Sequence, residues 1–197
     1  MTDVLVIRPE RDATERTLSV WVDMLLPPGG GLPGVTVVDD VQGAARATAA
    51  AVQAQCPNCD IVLYFGHGAP ASLGNPVLLD TATISAANGR IVIAIACESS
   101  DTLGPAAVNN QGVTEYFGFS EPLFVYTVIP ALFGAELTNH LRSYLTGTSS
   151  LQQVASDVVL DFQSLEALYR TGANSNDPDA LVIWMGARMN WRGTSLQ

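Results

Sequence analysis

The chain has 197 residues and carries 19 acidic side chains against 9 basic ones, a formal net charge of −10; every basic residue is Arg, and Lys is absent. That length suits one domain able to bury a substantial core. The charge argues against a nucleic-acid face, which must be cationic to displace counterions, and against docking on an anionic membrane. At 48% hydrophobic and 14% charged residues the composition is globular, not disordered.

No apolar run reaches the ~18 residues that a spanning helix needs. The opening MTDVLVIRPER has no basic flank before its short apolar run, so it reads as a first strand and no signal peptide is expected. Three cysteines, Cys56, Cys59 and Cys97, cannot all pair within one chain. The expected setting is therefore a reducing cytoplasm with free thiols.

In chain order, residues 3–8 form a continuous apolar run of strand length. Residues 14–26 place Leu18, Trp21, Val22 and Leu25 at helical spacing, and Pro27-Pro28-Gly29-Gly30-Gly31 ends that helix. Residues 34–39 read as a second strand and the Ala-rich stretch 43–55 as a helix. The third and fourth strands, 60–65 and 90–95, are apolar on both faces, as a parallel sheet covered by helices requires. A fifth strand is expected at 113–119, helices at about 127–145 and 149–169, and a last strand at 180–185. This alternation predicts a single α/β domain over residues 1–197, a doubly wound, mostly parallel six-stranded sheet with helices on both faces. No internal repeat or interdomain linker is visible, and only 27–33 and 171–178 are turn-rich.

In such a sheet the chemistry lies beyond the carboxyl ends of the strands. Those ends carry Arg8-Pro9, Asp39-Asp40, Gly66-His67-Gly68, Ala96-Cys97-Glu98 and Ser120-Glu121. One of two histidines and one of three cysteines thus fall on consecutive strand ends, about 4.8 Å apart if the strands are neighbours. A thiol beside an imidazole is an activated nucleophile: the thiolate attacks and the imidazole carries the proton. Gly66 and Gly68 allow a tight turn and a close approach of substrate, and the Gly68 and Cys97 N–H groups are candidate oxyanion donors. The pattern also fits a buried cysteine beside a structural histidine.

The strings IVLYFGHG and IVIAIACES resemble the two motifs of caspase-like (clan CD) cysteine peptidases, and Ala-Cys-Glu-Ser is most similar to the CHAT branch. The likeness extends through 112–118, 133–145 and 147–155 and covers roughly residues 3 to 189. It implies peptide-bond hydrolysis with His67 as general base and acid, Cys97 as nucleophile, Gly68 and Cys97 amides as oxyanion hole, and no metal or organic cofactor. Two departures stand out. Arg-specific relatives often carry Asp two residues before the nucleophile, where this chain has Ile95. The CHAT branch is commonly fused to helical repeats that present substrate, and this chain has none, so recruitment rests on the domain or on a separate partner.

Six further signals are weaker. Cys56-Pro57-Asn58-Cys59 lies before a strand and lacks a second ligand pair, so it reads as a turn rather than a redox or zinc motif. Gly66-His67-Gly68-Ala69-Pro70-Ala71 formally fits a dinucleotide fingerprint but follows the third strand and lacks the acid about 20 residues on. His140 is expected mid-helix, without a catalytic role. Asp39 and Asp40 either cap a helix from about Gln42 or shape a substrate cleft; Arg8 and Arg11 are the cations expected to hold an acidic substrate; Glu98, which either orients the site or faces solvent, and Glu121 are further candidate substrate-binding residues.

The expectation is a cytoplasmic, bacterial cysteine endopeptidase acting on a specific protein partner in a regulatory or defence pathway. The alternatives are a catalytically silent caspase-like scaffold and, more weakly, a nucleotide-binding domain.

Overall fold

The computed structural model describes residues 1–29 and 31–197, so Gly30 of the turn-rich 27–33 stretch lies outside the described residues. In chain order the elements are β1 (Thr2–Arg8), α1 (Ala13–Leu25), β2 (Val35–Gln42), α2 (Ala49–Gln55), β3 (Ile61–Phe65), β4 (Gly68–Ala69), β5 (Ser72–Leu73), β6 (Leu79–Asp80), β7 (Ile91–Ile95), α3 (Leu103–Asn110), β8 (Glu115–Phe119), α4 (Ala131–Leu145), α5 (Leu151–Arg170), α6 (Ala180–Gly193) and β9 (Thr194–Leu196). The main sheet has six strands in the order β2-β1-β3-β7-β8-β9, all parallel but β9, which runs antiparallel to β8.

The two-residue period of the strands divides the core in two. On one face Val4, Val6, Leu63, Phe65, Ile93, Ile95, Phe117 and Phe119 pack against α1, α4, α5 and α6. On the other, Leu5, Ile7, Val62, Tyr64, Val92 and Ala94 pack against Val52 of α2 and Leu103 and Ala107 of α3. The expected doubly wound sheet with helices on both faces is present, and β3 and β7 are buried nearly throughout.

The expected last strand at 180–185 is helical. Leu-Val-Ile is apolar with two β-branched residues, but the run continues so that Ile183, Gly186, Ala187 and Asn190 fall on one face, which is the buried face of α6. The helical period over 14 residues outweighs the local β preference. The sixth strand is instead Thr194–Leu196.

The expected 43–55 helix is also shorter. Gly43 takes a left-handed φ of 81°, and α2 starts only after Thr48, whose hydroxyl accepts the Ala51 N–H at 3.3 Å. Asp39 and Asp40 therefore cap no helix; they lie inside β2. The helices expected at 127–145 and 149–169 begin later, at Ala131 and Leu151.

Trp21 ties α1 to α4. Its ring is fully buried, its Nε1–H donates to the Pro130 carbonyl at 2.5 Å, and a Cβ on Gly134 would lie 2.7 Å from its Cγ. Gly134→Ala should therefore overpack this contact and destabilise the fold by about 1–3 kcal/mol. Urea unfolding with an unchanged midpoint for this variant would contradict the packing.

Candidate active site

The parallel register of β3 and β7 runs from Ile61↔Ile91 to Phe65↔Ile95. Two residues past the last pair on each side come His67 and Cys97, so the ladder carries both to one sheet edge. The two loops are fastened together there. Gly66 N–H donates to the Ile95 carbonyl at 3.3 Å, and the Pro70 carbonyl accepts the Thr102 and Leu103 N–H groups at 3.0 and 2.7 Å.

Neither glycine beside His67 takes a left-handed φ; both are required by close packing. A Cβ on Gly66 would lie 2.5 Å from the Tyr64 hydroxyl, and one on Gly68 would overlap the Cys97 carbonyl and lie 2.8 Å from Ala96 Cβ. Tyr64 in turn donates its hydroxyl to the His67 carbonyl at 2.7 Å, anchoring the turn. The chain then forms the small antiparallel sheet β4-β5-β6. No helix follows Gly66–Ala71, so the dinucleotide fingerprint lacks the helix N-terminus on which it depends.

Asp12, which the sequence pattern did not single out, holds the histidine. His67 Nε2 meets Asp12 Oδ2 at 2.5 Å, while Asp12 Oδ1 accepts the Glu15 N–H at 2.9 Å as the N-cap of α1. One carboxylate thus starts a helix and orients an imidazole. Glu15 completes the turn by accepting the Arg11 N–H at 2.6 Å. The legible signal was Asp-x-x-Glu directly after a strand at the active edge, a capping box whose second oxygen is spare. The Glu15 N–H and then His67 hold the Asp12 carboxyl below its ordinary range.

The Cys97 thiol rests against the segment after β8. Its Sγ accepts the Leu123 N–H at 3.3 Å, and no hydrogen bond joins it to His67. Burial pushes the thiol above its ordinary value, with the Leu123 N–H opposing and Glu98 reinforcing the shift. Among the described residues the only non-glycines with left-handed φ are Glu10, at 58°, and Glu98, at 54°. They stand two residues before Asp12 and one after Cys97, and strain of this kind concentrates where surrounding structure fixes a functional turn. Glu98 N–H donates to the Glu121 carbonyl at 3.1 Å, so these two flanking residues do meet at the site, through backbone. The segment 121–124 is clamped from α6 by Asn190, whose side chain pairs with both Phe124 N–H (2.7 Å) and Phe124 carbonyl (3.0 Å).

The expected substrate cations are committed elsewhere. Arg8 is buried; its guanidinium bonds Asp40 (2.9 Å), Asp23 (2.6 Å) and Ser19 (3.2 Å). Burial works against its charge, but the Asp40 and Asp23 hydrogen bonds outweigh it and raise the pKa further. Arg11 donates to the Ala47 carbonyl at 2.8 Å and lies 3.6 Å from the buried Glu15. Asp40 is used by Arg8 and Asp39 by Arg46, at 2.8 Å. Arg8, Asp39 and Asp40 are thus tied together at the β1–β2 edge, where Arg8 and Asp40 also line a cavity of about 390 Å³, and Arg11 is tied to Ala47 and the first turn of α1. Ile95 is fully buried in the core, with no acidic pocket residue at that position.

His140 sits in α4 against Asp161 of α5 at 2.6 Å, away from the strand ends. Cys56 and Cys59 are free and buried; Cys59 donates its thiol to the Cys56 carbonyl at 3.3 Å in a single 3-10 turn. Burial pushes them to about 12 and about 11. No group of three or more ligating side chains suited to a metal occurs among the described residues. No described helix is long and apolar enough to cross a membrane.

No protein-family profile matches the sequence, and no curated protein matches it. Among solved structures, the fold is similar to the Arg-specific cysteine proteinase gingipain R, with a TM-score of 0.57 at 12% identity over 98% of this chain. That likeness defines the architecture as caspase-like. The chain spans 45% of the length of the gingipain R chain.

Two measurements check this geometry. Asp12→Ala should cost about 1 kcal/mol through the lost N-cap, whereas Asp12→Asn, itself a good cap, should stay within a few tenths. Equal losses on urea unfolding would contradict the dual role. Alkylation of Cys97 by iodoacetamide should keep accelerating with pH past the ordinary thiol value of 9.0, because burial holds the proton on. A rate already level at neutral pH would contradict it.

Proposed function

We propose that this domain, residues 1–197, is a cysteine endopeptidase of caspase-like type, nearest the CHAT branch in its Ala-Cys-Glu-Ser motif, that cuts a specific protein partner. The observation that carries the reading is the β3–β7 register, which brings His67 and Cys97 to adjacent strand ends with Gly68 packed on the Cys97 backbone. The likeness to gingipain R supports it at the level of fold.

In this reading the Cys97 thiol leaves the Leu123 amide when substrate enters and gives its proton to the His67 nitrogen not held by Asp12. Sγ attacks the scissile carbonyl, and the Gly68 and Cys97 N–H groups receive the oxyanion. His67 returns the proton to the departing amine, giving a thioester and a free amino terminus. Water, deprotonated by His67, then releases the carboxyl product and restores the thiol. Asp12 is the positioning residue: it fixes the ring and stabilises the imidazolium. No metal or organic cofactor enters any step. The raised Cys97 thiol fits an enzyme assembled by its substrate, in which chemistry waits for the correct partner. A bacterial regulatory or defence pathway, a cytoplasmic setting and a separate recruiting partner belong to this reading.

One observation favours a silent scaffold instead: in the resting site the thiol is bonded to Leu123 and not to His67. Cleavage-site proteomics separates the two. Cys97→Ala and His67→Ala should each abolish cleavage, a loss of at least about a thousandfold, with Asp12→Asn losing about tenfold or more. Products that persist in Cys97→Ala would overturn the assignment, and identical proteomes for all proteins would favour the scaffold.

A further inference from the structure

With Arg8 and Arg11 committed to Asp40, Asp23 and Glu15, the question is which cations remain free in a chain of net charge −10. Arg46 is held by Asp39 at 2.8 Å, Arg90 by the Pro57 carbonyl at 2.7 Å, and Arg142 by the Met24 carbonyl. Arg170 is 3.6 Å from Glu166. Among the described residues Arg16, Arg188 and Arg192 make neither an ion pair nor a side-chain hydrogen bond, and all three are exposed. Two of them, Arg188 and Arg192, are one helical turn apart on α6 and line the same cavity.

That cavity holds about 250 Å³ and is bounded by Glu121, Trp184, Met185, Arg188, Met189 and Arg192. Its walls are apolar and aromatic, its rim carries two guanidiniums against one carboxylate, and Arg170 lies over the Trp184 ring at 5.8 Å. Met185 is 48% exposed, and Leu181 and Val182 continue the apolar surface at 60% and 42%. Large apolar side chains in contiguous exposure mark an interaction site when charged groups rim them.

The cavity is joined to the candidate active site through backbone. Glu121 supplies the carbonyl that accepts the Glu98 N–H, and two residues on, Leu123 N–H holds the Cys97 sulfur. The Ser120 N–H donates to the Gly193 carbonyl at 2.7 Å, and Asn190 clamps Phe124. Helix α6 and the thiol thus share one strap, residues 120–124.

We propose that this α6 pocket is a substrate subsite, taking an acidic residue next to a large apolar one on the polypeptide flank beside the scissile bond. It rests on the peptidase reading and names its substrate class. The apolar side chain fills the Trp184–Met185–Met189 walls, and the carboxylate pairs with Arg188 and Arg192. Arginine suits the task because its fork binds carboxylate bidentately and sheds water readily. Elsewhere the surface is mostly acidic and repels such a segment, so the two free guanidiniums of α6 also set its direction of approach.

The test uses fluorescein-labelled dodecapeptides of alternating Glu and Leu, or alternating Arg and Leu, bound to the Cys97→Ala protein and read by polarisation. The Glu–Leu peptide should bind at least about tenfold more tightly than the Arg–Leu peptide. Arg188→Glu combined with Arg192→Glu should remove that preference, Arg188→Gln with Arg192→Gln should weaken Glu–Leu binding by about tenfold, and Arg16→Glu should leave it unchanged. Thermal midpoints certify folding of each variant. In the Cys97-containing protein the bound Glu–Leu peptide should change the rate at which iodoacetamide alkylates Cys97, by covering the thiol or by releasing it from Leu123.

Absent binding, unchanged binding in the folded Gln pair, equal affinity for both peptides, or an unchanged alkylation rate at Cys97 would each overturn the subsite. Cys97-dependent cleavage that ignores the arginines overturns the subsite alone. Binding that requires them, without any cleavage, sustains the pocket and overturns the peptidase reading.

Discussion

The parallel pairing of β3 with β7 is the constraint from which the site follows. Five consecutive residue pairs, Ile61↔Ile91 through Phe65↔Ile95, lie between two helical layers, so a slip of one residue would exchange the side chains each layer packs against, Phe65 and Ile95 for Tyr64 and Ala94. The core therefore enforces the register, and the register places residues 67 and 97 side by side. Backbone contact then locks the loops: Gly68 lies so close to Ala96 and Cys97 that any side chain there would collide. Hydrophobic burial in the sheet is in this sense the force that positions the polar edge.

Around that edge the same economy recurs, each element serving structure and site together. Asp12 caps α1 with one oxygen and meets His67 with the other. Asn190, fully buried in α6, satisfies both backbone groups of Phe124 and thereby fixes the segment on which the thiol rests. Because a buried polar group must find partners, the Asn190 pair is a rigid support, whereas Asp12 and His67 meet at a half-exposed edge open to substrate.

The sheet and the two strand ends were legible from sequence because β1, β3, β7 and β8 are short, apolar and separated by turn residues. His67 and Cys97 were legible because Gly-His-Gly and Ala-Cys-Glu follow such strands. Asp12 was hidden because an N-cap aspartate has a sufficient local explanation, and only tertiary placement reveals its second partner. The 180–185 run misled because three β-branched or aliphatic residues obscured a helical period that becomes clear only when Ala187 and Asn190 are included. Arg8 and Arg11 looked available because a sequence shows which cations exist at an edge and not which carboxylates have already claimed them. The free pair, Arg188 and Arg192, was obscured by the same misread segment.

The Cys56–Cys59 turn has a consequence for proton linkage. Both thiols are neutral and buried, with values pushed to about 12 and about 11 from an ordinary 9.0. Unfolding returns them to water, where they ionise more readily, so the folded state binds more protons wherever pH lies between the two sets of values. Their contribution to stability is complete below pH ~9 and drains away as pH rises toward 11 and 12. Tyr64 and Tyr116, pushed upward by burial, act in the same direction from about pH 10. Acids buried in their neutral form thus loosen the fold as pH climbs past about 9.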